Sequence, residues 1–484
     1  MQGETRFELE IRRLRDLSRE RRKVPILSRL EPVKNLRHLL VKHGKAFVEA
    51  ARADLGKSPG EVLGGEILPL AEACRYLARN ARKVLASRRS TRSPLWLADQ
   101  QWVCRMPHGV VGIIGTWNYP FFLSGVQIIQ ALTAGNCVVW KPSEVAPQSA
   151  EILANALREA GFGKDQLVVL PTDRKYGAWL CDQEIDFLVF TGGEGTGRSI
   201  AGKLGQKLIP SILELSGADP LVVLEDFQDL ELVRKAIWFG IRSFSGQTCI
   251  APRRLLVHRS LYEPLFAPLR ERFNKAEMTR LATPGQLVQA KKLVDDAIRH
   301  GAPISGGGFP ESGDELAMQP VLIESTRSDL LACLEPCFAP LAVAAPFERI
   351  EEISTILRNS RFSLGASVFA GDVDDGLELG LDLDCGILSV NDLIAPVAHP
   401  GSPFGGRGAS GWGVTQGEEG LLAMTRPMVL SLRKGHYRPH FDQAWSGKDH
   451  RHDLWALLRI GHEKNWLGRL GGLWTLLTRG KSPF

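Results

Sequence analysis

The chain has 484 residues, 44% of them hydrophobic and 24% charged, with a net charge of +6. That length supports two or three domains around sizeable cores, and the composition is that of an ordinary globular chain. The mild basic excess includes no Lys/Arg block interleaved with stacking aromatics, so no nucleic-acid partner is expected.

Eight cysteines are scattered singly, with no CxxC pair. This argues against a disulfide framework or a zinc site and for a reducing compartment. Cys333 and Cys337 flank Pro336 and no second ligand pair follows, so no metal is expected. The opening MQGETRFELEIRRLRDLSRERRK is charged throughout and is not a signal peptide; a cytoplasmic chain is expected.

Residues 6–55 carry apolar positions every three or four, the helical period, and 66–84 repeat it. Residues 87–107 turn to Ser, Pro and Arg and then alternate, which predicts a protruding loop or hairpin. Residues 109–140 hold no charged side chain, but Asn118, Pro120, Gln127, Gln130 and Asn136 interrupt them. They predict two buried strands around a buried helix rather than a membrane span. From there short apolar strands (GVVGII, NCVVW, QLVVL, FLVF) alternate with helices, and a second such set runs from about 221 to 391. This predicts an α/β fold of two parallel-sheet domains covered on both faces. A literal GxGxxG at Gly406, Gly408 and Gly411 follows Ser-Pro-Phe rather than a strand, and is read as a tight loop.

Ligands of open α/β sheets sit at the carboxyl ends of strands, and three such ends are unusual. GTWNYP (115–120) puts Asn118 in a turn, its amide free to donate outward. KPSE (141–144) spaces Lys141 and Glu144 to clasp a ribose diol. TGGEGTGR (191–198) offers close backbone approach and a helix N-terminus for a pyrophosphate. ILELSG (212–217) places Glu214 among apolar neighbours, where desolvation raises a carboxyl toward a general base's range. SFSGQTCIAP (243–252) sets Cys249 after a glycine turn, and a thiolate there is a strong nucleophile.

The ordered set TWNYP, KPSE, FTGG, ELSG, SGQTC, FAP, SVND and PFGGRGASG resembles the aldehyde dehydrogenase superfamily over about 10–432, closest to its fatty and aromatic aldehyde (class 3-like) branch. The resemblance implies a Rossmann-like NAD(P)-binding domain (1–85 and 108–215), a catalytic domain (216–413) and a β oligomerisation arm (86–107 and 414–432) that makes a homodimer. It implies Cys249 as nucleophile, Asn118 with the Cys249 N–H as oxyanion donors, and Glu214 as the base that activates water. Lys141 and Glu144 match the adenosine-ribose clasp. Thr191, Gly192 and Gly193 match the turn under the pyrophosphate, while Trp117, Leu215 and Phe338 line the cofactor site. Three departures stand out. Pro336 replaces the glutamate that holds the nicotinamide ribose, leaving only Glu335 nearby. Gly193 stands where Ser is common. The region 274–290 is short.

Glu144 favours NAD, with NADP as a second cofactor because Lys141 is close. Tyr119, Phe121, Phe122, Phe239, Phe244 and Ile250 predict an apolar tunnel. The expected activity is therefore NAD(P)-dependent oxidation of an apolar, medium- to long-chain or aromatic aldehyde to its acid through a cysteine thiohemiacetal and thioester. Two alternatives remain at this point: acyl transfer to coenzyme A, or a weakly catalytic, membrane-associated scaffold.

Residues 433–484 lie beyond the resemblance. They hold ten Lys/Arg against four Asp/Glu, and Trp445, Trp455, Trp466 and Trp474. Leu467, Leu470, Trp474 and Leu477 share one helical face. A basic amphipathic helix with tryptophans fits a membrane surface, contacted peripherally through 450–480. It equally fits the chain's own dimer or a protein partner. His450 and His452 are read as solvated.

Overall fold

The computed structural model describes residues 2–91, 99–310, 315–434, 438–447 and 450–478. Residues 1–84 and 107–426 form one compact unit; 85–106 and 427–484 form a second.

The first unit holds two sheets. Five parallel strands of the first run in the spatial order Ser211–Glu214, Phe187–Thr191, Val110–Ile114, Cys137–Lys141, Leu167–Val169. The strand earliest in the chain thus lies in the middle, and the order reverses between it and Phe187–Thr191. At such a switch point the loops that leave neighbouring strands diverge to opposite faces and open a crevice. All five residues of Val110–Ile114, Cys137–Lys141 and Phe187–Thr191 are buried, as is every residue of the helix Phe122–Ala134. The uncharged run 109–140 is therefore a strand, helix and strand of the core.

The second sheet has seven strands, in the order Ile304–Gly306, Val321–Glu324, Leu341–Phe347, Pro252–His258, Asp219–Val223, Gly365–Phe369, Ile387–Val390. Only Ile304–Gly306 runs antiparallel. The fold is α/β with two parallel-sheet layers.

The glycine-rich 403–413 segment is more than a loop. Gly411–Trp412 adds an antiparallel strand beside Ser211–Glu214, with Gly411 opposite Glu214. Gly411 has φ +102°, and a Cβ there would overlap the Leu213 carbonyl, so only glycine fits.

Residues 414–426, read from sequence as part of the arm, belong instead with the first sheet. Asn136 Nδ2 donates to the Met424 carbonyl at 2.9 Å, and Gln130 Oε1 accepts from the Gln416 N–H at 3.1 Å. These buried amides lie in and just after an apolar helix and tie that segment to it.

In the second unit Arg88–Arg89, Asp99–Pro107 and Thr425–Arg433 make a three-stranded sheet whose last strand starts at the unit boundary. Residues 92–98 of the expected hairpin lie outside the described residues. The helices Arg451–His462 and Trp466–Thr478 pack on each other, with Gly472 letting the backbones approach. Leu467, Leu470, Trp474 and Leu477 are exposed. His450, read as solvated, is instead buried, its Nδ1 3.4 Å from Asp453 Oδ2 at the start of its helix. Among the described residues no helix is long and apolar enough to cross a membrane.

Candidate active site

Glu214 ends a strand of the first sheet, and Cys249 precedes Pro252, which pairs with Asp219 in the second. The short link 215–218 therefore ties the carboxyl edge of one sheet to the amino edge of the other. A Cβ on Gly217 would stand 2.7 Å from the Cys249 carbonyl oxygen, so glycine there lets the two loops meet.

Glu214 is 2% exposed, and neither of its carboxylate oxygens has a hydrogen-bond partner among the described residues. Burial pushes its carboxyl up to about 8, opposed weakly by the Thr191 hydroxyl. Cys249 is half-buried. Burial first, and then the negative charges of Glu214 and Asp219, push its thiol up, so the resting group is neutral. A thiol in this setting needs a base to become a nucleophile, and Glu214 is the carboxyl coupled to it most strongly.

Asn118 is 2% exposed and fixed at both ends of its amide. Its Oδ1 accepts from the Thr116 hydroxyl at 2.9 Å and the Tyr119 N–H at 3.1 Å, while Nδ2 donates to the Gln247 carbonyl at 3.1 Å. That last bond uses one Nδ2 hydrogen and leaves the other beside the 247–249 loop. The Tyr119 hydroxyl lies 2.8 Å from Thr248 Oγ1.

A cavity of about 430 Å³ opens on Cys249. Tyr119, Phe122, Phe239, Phe244 and Ile250 line it. Phe121 does not: its ring is fully buried, edge-on to Phe47 at 4.8 Å, and its N–H is taken by Glu66. The far walls come from Gly60, Gly64 and Gly65 on one side and Ile394, Ala395 and Val397 on another, parts of the chain that carry no motif, together with Phe404 of PFGGRGASG. Among the described residues no Lys or Arg lines the cavity, and its one charged side chain is Glu61.

On the crevice side, Lys141 Nζ is 2.9 Å from Glu144 Oε2, the lysine buried and the glutamate 42% exposed. The helix Glu194–Gln206 has no side-chain cap, and its N-cap residue Gly193 has no heavy atom within 4 Å of a Cβ position. Bare amides facing open space suit a pyrophosphate. Thr191 Oγ1 accepts from Gln127 at 2.9 Å, and the Gly192 N–H bonds the Glu214 carbonyl, which fixes this turn beside Glu214. Trp117 stands edge-on to Phe338 and Phe244 at 6.0 and 6.1 Å. Leu215 is buried against Gly197. These residues fit a bound dinucleotide.

Glu335 does not join them. Its carboxylate is engaged by Lys292 at 2.8 Å and Gln289 at 2.6 Å, neighbours on the helix Pro284–Arg299 that the sequence reading left out. Gln286 from the same helix donates to the Phe338 carbonyl at 2.8 Å and to Gln247 at 2.9 Å, joining the loop before Cys249 to Phe338.

The profile of the aldehyde dehydrogenase family matches residues 4–430. A 4,4'-diapolycopene aldehyde oxidase of Methylomonas is 31% identical over 84% of this chain and 78% of its own length. A putative NADP(+) succinate-semialdehyde dehydrogenase of Mycolicibacterium smegmatis is 30% identical over 85% of this chain and 81% of its own. Among solved structures, a Mycobacterium tuberculosis aldehyde dehydrogenase complexed with NAD+ superposes with a TM-score of 0.80 at 28% identity, covering 86% of this chain and 87% of that one.

Proposed function

Because the chain belongs to the aldehyde dehydrogenase family, we propose that it oxidises an apolar, medium- to long-chain or aromatic aldehyde to the acid, as the fatty and aromatic branch does. It is an NAD(P)-dependent enzyme, with NAD as its first cofactor and NADP as its second. The observation that carries the substrate reading is the cavity wall. It offers apolar side chains, one carboxylate and no cation. An aldehyde bearing its own carboxylate, such as succinate semialdehyde, would meet Glu61 without a counter-charge. A long apolar aldehyde, the class that includes the substrate named for the Methylomonas relative, would bury its chain there.

Cys249 attacks the carbonyl carbon as its proton moves to Glu214, giving a thiohemiacetal. The Asn118 amide and the Cys249 N–H hold the developing oxyanion, contacts of a kind worth about 3 kcal/mol each. A nicotinamide cofactor held in the crevice would supply the hydride acceptor, and loss of hydride from the thiohemiacetal carbon would leave a thioester on Cys249. Glu214 releases that first proton to solvent and, again a carboxylate, takes one from the water that hydrolyses the thioester; this proton then passes to the departing Cys249 sulfur as the acid leaves. A base buried this close to the thioester favours water over coenzyme A as acceptor. Lys141 and Glu144 would hold the adenosine ribose, and the 191–193 turn the pyrophosphate.

We place the protein as a homodimer in the cytoplasm, touching a membrane surface peripherally through 450–480. The exposed apolar strand Thr425–Arg433 at a sheet edge supports the dimer. The exposed leucines and tryptophans of a basic tail support the contact.

The test is NADH formation with hexanal, decanal, benzaldehyde and succinate semialdehyde, in wild type and Cys249→Ala, with the long aldehydes also delivered in anionic and in neutral vesicles. Expected are a kcat/KM rising with chain length, loss of turnover in the variant by at least about 10³-fold, and faster delivery from anionic vesicles. Preference for succinate semialdehyde would refute the substrate reading. Equal rates from both vesicles would refute the membrane contact.

A further inference from the structure

Lys57 and Glu66 form an ion pair, Nζ to Oε1 at 2.6 Å, with both side chains wholly buried. Neither belongs to a motif and neither lines the cavity. Such a pair is a weak source of stability, because desolvating two charges offsets most of their attraction, and isosteric neutral replacements are often tolerated. Its position must be explained by what it organises.

Glu66 lies in a π-helical turn, Leu63–Ile67, between the helices Pro59–Val62 and Leu68–Val84. The wide turn adds a residue to the helical register at this point, a feature that recurs at functional sites. Glu66 Oε2 accepts the Phe121 N–H at 2.9 Å, so the carboxylate is anchored to the start of the helix after Asn118. Lys57, held by the other oxygen, presents its ammonium to two ring faces, Tyr119 at 4.1 Å and Phe244 at 4.3 Å. A desolvated cation between two rings is attracted to both.

Each ring belongs to one half of the proposed chemistry. Tyr119 follows Asn118, and its N–H fixes the Asn118 oxygen. Phe244 opens the turn that leads to Cys249. That turn holds three successive left-handed residues: Phe244 at φ +45°, Ser245 at +55° and Gly246 at +68°. For a bulky side chain such a conformation costs about 1–3 kcal/mol and persists only where the surroundings enforce it. Here Glu61 Oε1 accepts the Phe244 N–H at 2.7 Å, and the buried Arg253 guanidinium donates to the Gly246, Ala339 and Leu341 carbonyls. The Phe244 ring packs against Leu55 and Ala146 and stands edge-on to Trp117 and Tyr119, and Lys57 adds a cation to its face.

We propose that Lys57, locked by Glu66, is a positioning residue that clamps the Tyr119 and Phe244 rings together and so sets the Cys249 sulfur against the Asn118 amide. The inference rests on the assignment of Cys249 and Asn118 made above. The ion pair acts as a spacer between two loops 125 residues apart, counted from Tyr119 to Phe244. It touches neither substrate nor cofactor.

The test uses the full chain carrying Lys57→Met and Glu66→Gln together, which keeps both volumes and the acceptor for the Phe121 N–H while removing the charge. Iodoacetamide alkylation, with Cys249→Ser as background, counts competent thiols, because that reaction needs no oxyanion donor. The expected result is a folded protein that binds NAD and alkylates as wild type, with the KM for decanal little changed and kcat per thiol about 10²-fold lower, the effect of a misplacement near 1 Å. A merely structural pair would lower the melting temperature and the thiol count but leave kcat per thiol within about twofold of wild type, and that result overturns the proposal. If the double variant does not fold, Phe244→Leu decides. It keeps the ion pair and the Glu61 contact but removes one ring from the ammonium. A kcat per thiol unchanged there overturns the proposal, and a fall of about tenfold with alkylation preserved supports it. Turnover surviving in Cys249→Ser would instead remove the assignment on which the clamp depends, and the clamp with it.

Discussion

The two mouths of this site are built in opposite ways. The crevice at the switch point is made from consecutive residues at strand ends: Lys141 with Glu144, and Thr191 to Gly193, each group within a few positions in the chain. The aldehyde cavity is made from remote pieces, near 60–65, 119–123, 239–250 and 394–404, brought together only by the fold. A polar ligand with fixed phosphates and hydroxyls demands particular groups at particular spacings. An apolar chain demands only volume and surface, which many sequences supply. Substitutions on one side should therefore leave the other intact, and three of them measure how far that separation holds.

Glu214 sits where the sides meet, and its loss should have the largest effect. With Glu214→Gln the hydrolytic step is expected to fall about 10²–10³-fold, the usual worth of a positioned base. The pre-steady-state burst of NADH should slow as well, because Glu214 also takes the Cys249 proton before the hydride leaves. Equal steady-state rates in variant and wild type would contradict the assignment. In wild type the hydrolytic rate should rise with pH through about 8, where the carboxyl ionises. Stability changes in the opposite sense. The folded carboxyl is raised to about 8 from its ordinary value of 4.5, so the folded state binds the extra proton between those values. Folding stability then falls as pH rises across that window, on the order of 1 kcal/mol per pH unit, and is lost no further above it. Glu214→Gln should remove this slope, so chemical denaturation of the two proteins should diverge between pH 5 and pH 8 and coincide near pH 4.

The next largest effect is expected on the aldehyde side. A Cβ on Gly64 meets no heavy atom within 4 Å, and Gly64 lines the cavity, so a larger side chain there can occupy the substrate's volume. Gly64→Phe should lower kcat/KM for decanal by roughly 10–100-fold, a few buried methylenes' worth, while sparing acetaldehyde and the KM for NAD. A uniform loss across chain lengths would mean that the wall is not a specificity surface.

Much of the first side was legible because chemistry fixes residue type. The strands around 109–140 could be read from an absence of charge, and the strand-end and loop positions of Asn118, Glu214 and Cys249 from short motifs in order. The second side was legible only in its aromatic content. Phe121 and Phe122 are adjacent in an apolar run, and neighbouring positions near a helix start point about 100° apart. With apolar residues all round, the phase that sends Phe122 to the cavity and Phe121 into the core is set by Phe47 and Glu66, which are far away in sequence. Glu335 was misleading for a related reason. Pro336 could be seen, but not the Lys292 and Gln289 side chains that take up the carboxylate. The adjacent pair Gly64-Gly65 in a helical stretch, with Glu66 heading an apolar run, was the one available hint of the π-helical turn and its buried pair.

The smallest effect separates the cofactor side. Glu144 is 42% exposed and paired with buried Lys141, and the lysine's bond holds its carboxyl below the usual range against a burial effect that acts the other way. At neutral pH it is a carboxylate, an acceptor for two ribose hydroxyls and a repulsive neighbour for a 2′-phosphate. Glu144→Ala should therefore raise the KM for NAD several-fold, about 1 kcal/mol for a solvent-accessible pair of hydrogen bonds, and lower the KM for NADP as Lys141 is freed for the phosphate. The KM for decanal and the burst amplitude should not move, since the aldehyde mouth shares no side chain with this clasp. If both cofactors weaken equally, Glu144 supports the loop rather than reading the ribose. If decanal binding weakens with them, the two mouths are mechanically joined, and the segment that joins them is the 115–119 turn, which runs from the crevice to the cavity through Trp117 and Tyr119.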